Sequence, residues 1–408
     1  MTSATCTIAA PKASLADGSP RSEKGADRVR VMLLISSLEY GGAERQVIEL
    51  ANQLDEDRFE VTVCSLSEEV PLATALRDRD TRLRIVPRRS RWDFGLVFRI
   101  ARLMRERRID LVHAFLFDAE ITARLAARWV GVRGIVASER NTNYRRPMWH
   151  WLLMRLTRSW FDVMVANSQA GRAFNMRTLG IDGSRIPVIR NGVDVLKFRP
   201  VDGSTLRRRL GISVKAPVVG MVAAFKRQKR HADFFQVAQR VLERFPEAWF
   251  VCVGEPLRDN LQGAEDYHQE MRECVSKLQI GHRCLFLGHR GDMPEVYGLC
   301  DVTVLTSSRE GTPNVLLESM ACSVPIVATD VADNQHLVPG SDDGSIVPVG
   351  DIAGMAERVC HLLADPRRRK ERGRAAREWV MREFSTAALA RKTEAVYLDV
   401  LRRKGYAG

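Results

Sequence analysis

The sequence predicts an α/β protein of two Rossmann-like, doubly wound parallel-sheet domains facing a cleft. Three observations carry this. Apolar strand-like runs alternate with amphipathic helical segments from residue 29 onward. The alternation breaks once, at "IRNGVDVLKFRPVDGS" (189–204), and then starts again. A chain of 408 residues is also too long for one compact core.

Residues 1–28 are rich in Ala, Ser and Gly with mixed charge, lack a signal-peptide apolar region, and are expected to form a disordered tail. "VRVMLLIS" (29–36) is a continuous apolar run of the kind buried in a parallel sheet. In 43–54, Val47, Ile48, Leu50, Ala51 and Leu54 mark one helical face, with Glu44, Arg45, Glu49 and Asn52 opposite. Strand 59–66, a helix near 95–108, and strands 109–115, 134–138 and 163–168 complete the first domain, 29–195. The second, 196–385, starts with strand 217–225, helix 231–244 and strand 248–254, then helix 264–279 and strand 284–288. It continues with strand 302–307, helix 313–322, strand 325–329, helix 352–364 and a helix near 367–382. The last helix, within 386–408, is expected to pack back on the first domain.

Eight cysteines are scattered without C-x-x-C spacing, so no zinc or redox motif is indicated, and a reducing cytoplasm is the expected compartment. No run approaches the length needed to span a bilayer. The net charge of +13 favours polyanionic surroundings, whether anionic lipid, nucleotide phosphate or nucleic acid. Residues 145–161, "RRPMWHWLLMRLTRSWF", set Trp149, Leu152, Leu153, Leu156 and Trp160 on one helical stripe among arginines. That stripe reads either as an interfacial face or as core of the first domain.

Chemistry concentrates at three strand-to-helix corners. In "SSREGTPNVLLESMACSVPIVATD" (307–330), Glu310 and Glu318 bracket a turn and a helix start, with Pro313 suited to the first helical position. Ligands of open α/β sheets bind at such corners, where free N–H groups and the helix dipole favour anions. Gly311 permits close backbone approach, Glu310 faces what hangs off a phosphate, and Glu318 suits a vicinal diol such as ribose. Gly41 and Gly42 follow the first strand, and Lys226, Arg227, Lys229 and Arg230 follow the first strand of the second half, where cations can neutralise a leaving diphosphate.

Together, "GGAER", "FKRQK" and the E-x7-E block resemble the retaining glycosyltransferases of family 4 (group 1), which have the GT-B fold. The resemblance runs in order over about residues 30–400. It implies an acceptor-binding first domain and a nucleotide-sugar-binding second domain, with a UDP- or GDP-sugar as donor. The implied product is a surface polysaccharide built on a glycan or lipid-linked acceptor. Glu318 would bind ribose and Glu310 the donor sugar. Thr312, Pro313, Asn314 and Val315 would line the diphosphate with Gly311, and Gly41 and Gly42 would close over it. Lys229, with Lys226 beside it, would stabilise the departing diphosphate. The implied chemistry is front-face displacement with retention, with no cofactor and no obligatory metal.

The chain departs from the family at three places. "HAFLFD" keeps His113, a candidate catalytic residue, but carries Phe115 where a second histidine often stands. Ala223-Ala224 replaces the usual Gly-Arg, and His336 stands where an acid is common. Arg140 in "SERN" is a candidate donor or acceptor contact. The arginine excess and the resemblance together suggest a protein that is cytoplasmic and visits the inner membrane face, with an anionic membrane surface as a partner. The alternatives are a nucleotide-sugar epimerase of the same fold and a basic nucleic-acid-binding protein. The second leaves Glu310 and Glu318 unexplained and carries no recognisable nucleic-acid motif, so no nucleic acid is expected as a partner.

Overall fold

A computed structural model of the chain describes residues 28–90, 93–139, 147–255, 261–339 and 345–406. The expected N-terminal tail lies outside the described residues but for Arg28. The first sheet holds β1 (Val29–Ile35), β2 (Phe59–Ser65), β3 (Leu83–Ile85), β4 (Leu111–Phe115), β5 (Gly134–Glu139) and β6 (Val163–Ala166). Its strands are all parallel, in the order β3-β2-β1-β4-β5-β6. Around it run α1 (Gly42–Gln53), α2 (Arg79–Arg82), α3 (Gly95–Glu106), α4 (Phe117–Val130), α5 (Met148–Leu156) and α6 (Gln169–Leu179).

The second sheet holds β7 (Val218–Val222), β8 (Trp249–Val253), β9 (Cys284–Phe286), β10 (Val302–Leu305), β11 (Ile326–Thr329) and β12 (Ile346–Val347). It is parallel too, in the order β12-β11-β10-β7-β8-β9. Its helices are α7 (Ser204–Arg209), α8 (His231–Leu242), α9 (Leu261–Lys277), α10 (Met293–Leu299), α11 (Asn314–Ala321), α12 (Asn334–Leu337), α13 (Ile352–Ala364) and α14 (Pro366–Glu383). α15 (Thr386–Arg403) ends the chain's regular structure.

β1 shows why the strands read as unbroken apolar runs. Val31, Leu33 and Ile35 pack on one side with α1 and α15, while Met32 and Leu34 pack on the other with α3 and α4. Helices on both faces leave no solvated side, so alternation disappears from the sequence. Helix ends follow their residues. Ser168 caps α6 by accepting from Gly171 N, and Gly180 at φ 62° closes that helix in the left-handed region. Asp365 caps α14 ahead of Pro366. α11 begins one residue later than expected, with Pro313 at the capping position and Asn314 first in the helix.

α15 lies against α1 and contributes Leu389, Tyr397, Val400 and Leu401 to the first domain's core. The chain therefore crosses between domains twice. The two crossings lie side by side: Val193 N donates to Phe384 O at 2.8 Å, and Thr386 N donates to Val193 O at 3.1 Å.

The α5 stripe does not join the core. Trp149, Leu152 and Leu156 are exposed, Leu153 and Trp160 are half-buried, and Met154 turns inward instead. No helix among the described residues is long and apolar enough to cross a membrane.

Candidate active site

In a sheet whose strand order reverses at the centre, the loops leaving the two middle strands diverge and open a crevice. Here the reversals fall between β1 and β4 and between β7 and β10. The glycine pair leaves β1, the basic corner leaves β7, and the loop with Glu310 leaves β10.

The second domain builds one half of the site. Lys229 Nζ and Glu310 Oε1 form an ion pair at 2.6 Å, with side chains only 16% and 9% exposed. The pair is held by backbone: Ser308 N donates to Gln228 O at 2.8 Å, and the Thr306 hydroxyl donates to Lys229 O at 2.7 Å. Arg230 follows in the left-handed region at φ 51°, where it turns the chain into α8. Lys226 is exposed at the same corner.

Glu318 stands one turn along α11 from Asn314 and is buried. Its Oε2 accepts from the Tyr297 hydroxyl at 2.9 Å, and its Oε1 is paired with the Arg45 guanidinium of α1. Burial, then the facing Glu318 charge, push the Tyr297 phenol well above its usual range, so it stays a proton donor to the carboxylate. Glu49, beside Arg45 on α1, is raised by burial and by Asp194.

The first domain closes directly on this half. A Cβ on Gly42 would lie 3.4 Å from Asn314 Nδ2. A Cβ on Gly311 would meet Asn167 Nδ2 at 2.6 Å, so any larger residue there would push the Asn167 amide aside. The Thr312 hydroxyl donates to Asn167 O. Asn191 Nδ2 donates to Thr312 O at 2.9 Å and to Asn314 Oδ1 at 2.7 Å. Gln46 and Gly192 exchange two hydrogen bonds, at 2.8 and 2.7 Å. Gly41 caps α1 under the Glu44 carboxylate. The structure thus brings Gly42, Gly311, Thr312, Asn314 and Glu318 to the contact between the domains, with Lys229 and Glu310 paired in the loops just before α8 and α11 and Lys226 at the start of the same basic corner.

Residues 202–379 match the model of the "Glycosyl transferases group 1" family, and residues 40–196 match that of "Glycosyltransferase Family 4". The chain belongs to the group 1, family 4 glycosyltransferases. This glycosyltransferase is 25% identical, over 92% of its own length and 97% of the relative's, to the UDP-Gal:alpha-D-GlcNAc-diphosphoundecaprenol alpha-1,3-galactosyltransferase of Escherichia coli. It is 27% identical, over 76% of its length and 80% of the relative's, to the N-acetyl-alpha-D-glucosaminyl L-malate synthase of Bacillus anthracis. Among solved structures, Anabaena HepE in complex with UDP superposes with a TM-score of 0.80 at 21% identity, covering 91% of this chain and all of the other. A Rickettsia africae glycosyltransferase matches with a TM-score of 0.80 at 18% identity, covering 92% of this chain and all of the other. The fold is GT-B.

One expected site residue of the glycosyltransferase stands elsewhere. His113 is corrected from catalytic candidate to core residue: it lies in mid-β4, 1% exposed, its Nδ1 2.7 Å from the Tyr397 hydroxyl of α15. Phe115, in the place of the family's second histidine, is buried as well. Arg140 lies outside the described residues. Conversely, Arg45, read in the sequence only as lying opposite the apolar face of α1, is the partner of Glu318. Tyr297 and Asp333 were not singled out by the sequence, and Asn167 only as the start of "NSQAGRAF", a segment that resembles the family's inter-domain stretch. Asp333 precedes α12, accepts from Gln169 N at 2.9 Å at the start of α6, and pairs with Arg190 at 2.7 Å.

Proposed function

We propose that this glycosyltransferase moves a hexose from a UDP- or GDP-sugar to a glycan or lipid-linked acceptor in surface polysaccharide synthesis. The observation that carries the reading is the Lys229–Glu310 pair, 2.6 Å apart, beside the amino end of α11 with Glu318 further along that helix. The helix N-terminus and Lys229 suit a diphosphate that gains charge as the sugar leaves. Glu318 suits the ribose diol, and Glu310 the sugar hydroxyls near the reacting carbon. The reaction we propose is front-face displacement with retention, driven by positioning and charge stabilisation rather than by a protein nucleophile. Metal independence is part of the proposal, because the cation needed at the diphosphate is supplied by Lys229 with Lys226 at the same corner.

The printed name of the E. coli relative specifies a UDP-sugar and a diphosphoundecaprenol acceptor. That supports a nucleotide-sugar donor and a lipid-linked acceptor; work at the inner face of the cytoplasmic membrane is part of the proposal. A panel of nucleotide-sugars read by released nucleotide, with and without EDTA, tests the reading. We expect release from one UDP- or GDP-sugar, unaffected by chelator. Release from none of them, with no thermal protection by UDP or GDP, would overturn it.

A further inference from the structure

Large apolar side chains are unevenly exposed on this molecule. Eight of the fifteen exposed ones among the described residues come from the stretches ending in or carrying α3, α4 and α5: Phe94, Phe98, Leu125, Trp129, Met148, Trp149, Leu152 and Leu156. These three helices belong to the layer that covers one face of the first sheet, and their inward residues, such as Ile100, Ala123 and Met154, form its core. α3 and α4 pack together, with Phe98 and Trp129 edge to face at 4.5 Å on their outer side. On α5, Met148, Leu152 and Leu156 recur every fourth residue, with Trp149 beside them.

The same surface is cationic. Among the described residues, 88–108 hold seven arginines against Asp93 and Glu106, and 147–161 hold Arg155 and Arg158 with no acid. Arg105 lies over the Trp129 ring at 5.8 Å, and Arg128 over Trp160 at 5.9 Å. A shallow groove of about 310 Å³ between β3 and α3 is lined by Ile85, Pro87 and Leu103 with Arg89, Arg99 and Arg102.

We propose that the outer faces of α3, α4 and α5 form a docking surface for an anionic lipid bilayer. Aromatic and aliphatic side chains enter the headgroup boundary while the surrounding guanidinium groups meet lipid phosphates. Charge complementarity selects this occupant. A second copy of the same face would set two arginine-rich surfaces against each other. The surface is also well placed for delivery. α4 leaves the carboxyl end of β4, and Phe117 at its start touches Trp149 of α5, with ring centroids 6.0 Å apart. The carboxyl ends of these parallel strands are the edge that opens to the active site, so a docked enzyme presents its cleft next to the membrane. The proposal rests on the transferase reading only for what the surface brings in.

The test is co-sedimentation of the full-length protein with vesicles of phosphatidylcholine alone or mixed with phosphatidylglycerol. We expect binding to the mixed vesicles only, weakened by salt. Trp149→Ser with Leu152→Ser should weaken it more than ten-fold, and Arg102→Glu about five-fold or more at low salt. Unchanged melting temperature and unchanged nucleotide release with a soluble acceptor would keep these losses separate from folding and from the transferase reading. Equal binding to neutral vesicles, wild-type binding by the variants, or a dimer abolished by Trp149→Ser and absent from vesicles would overturn the proposal.

Discussion

Glu318 is held from two sides, by Tyr297 of its own domain and Arg45 of the other. On the proposed reading, a ribose diol at Glu318 would compete with Arg45 for the same carboxylate oxygen, and nucleotide binding would then be coupled to the inter-domain ion pair. Glu318→Ala should raise the donor KM about 10–100-fold, the worth of charge-assisted hydrogen bonds. Glu310→Ala should instead lower kcat about 10²–10³-fold, as loss of a contact that matters most in the transition state. Steady-state kinetics of both variants separate the two, and wild-type constants would remove the assigned roles. The acid pair was legible because E-x7-E spacing and the turn between the acids fix both at one strand-to-helix corner. Arg45 was not, because helical periodicity separates core from non-core and is blind to an opposing domain. His113 was misread for a related reason: a strand buried on both faces gives no sign of which side chains reach the cleft.

His231 offers a second test at this scale. It is fully buried, its ring stacked on Phe225 at 4.4 Å, and burial lowers its pKa from 6.5 to about 4, with Lys229 acting in the same direction. The unfolded chain takes up that proton near pH 6.5, the folded chain only near 4. Stability is therefore full above pH 6.5 and is lost as pH falls towards 4, by on the order of 3 kcal/mol for this residue. Urea unfolding at pH 7.5 and pH 5 should show a smaller loss for His231→Phe than for the parent chain.

Among the elements, α14 shows what a small residue does. Gly373 lies against the turn that follows α11, and a Cβ there would sit 2.0 Å from Ser323 O. Backbone cannot step aside as a side chain can, so Gly373→Ala should destabilise the second domain by about 1–3 kcal/mol, read as a lower melting temperature. The alternation of strands and helices was legible through the apolar runs of β1, β2, β7 and β8. α4 escaped because alanines at 119, 123, 126 and 127 form its buried face, giving weak hydropathy contrast. The three residues of β3 and two of β12 are too short to show a period. The α5 stripe was visible but its direction was not, since outward and inward stripes have the same spacing.

At the scale of the molecule, Asp333 joins parts that are far apart in sequence. It is 2% exposed and serves the start of α6, Arg190 of the crossing segment, and its own domain at once. Asp333→Ala leaves a half-buried guanidinium and helix-end N–H groups without their acceptor. The expected cost is about 1–3 kcal/mol, measured by chemical denaturation. A loss within ordinary surface-substitution range would show that the seam is held elsewhere.

The paired crossings at Val193 and Phe384–Thr386 have a mechanical consequence. Two covalent tethers laced together by hydrogen bonds define a line, not a point. Any opening of the lobes would turn about that line, like a book on its spine, with sliding and twisting resisted. Closing about it would bring Arg45 back opposite Glu318 and Gly42 opposite Asn314. A nick in one tether would spoil this alignment well before the halves came apart, because α15 would still be buried in the far lobe.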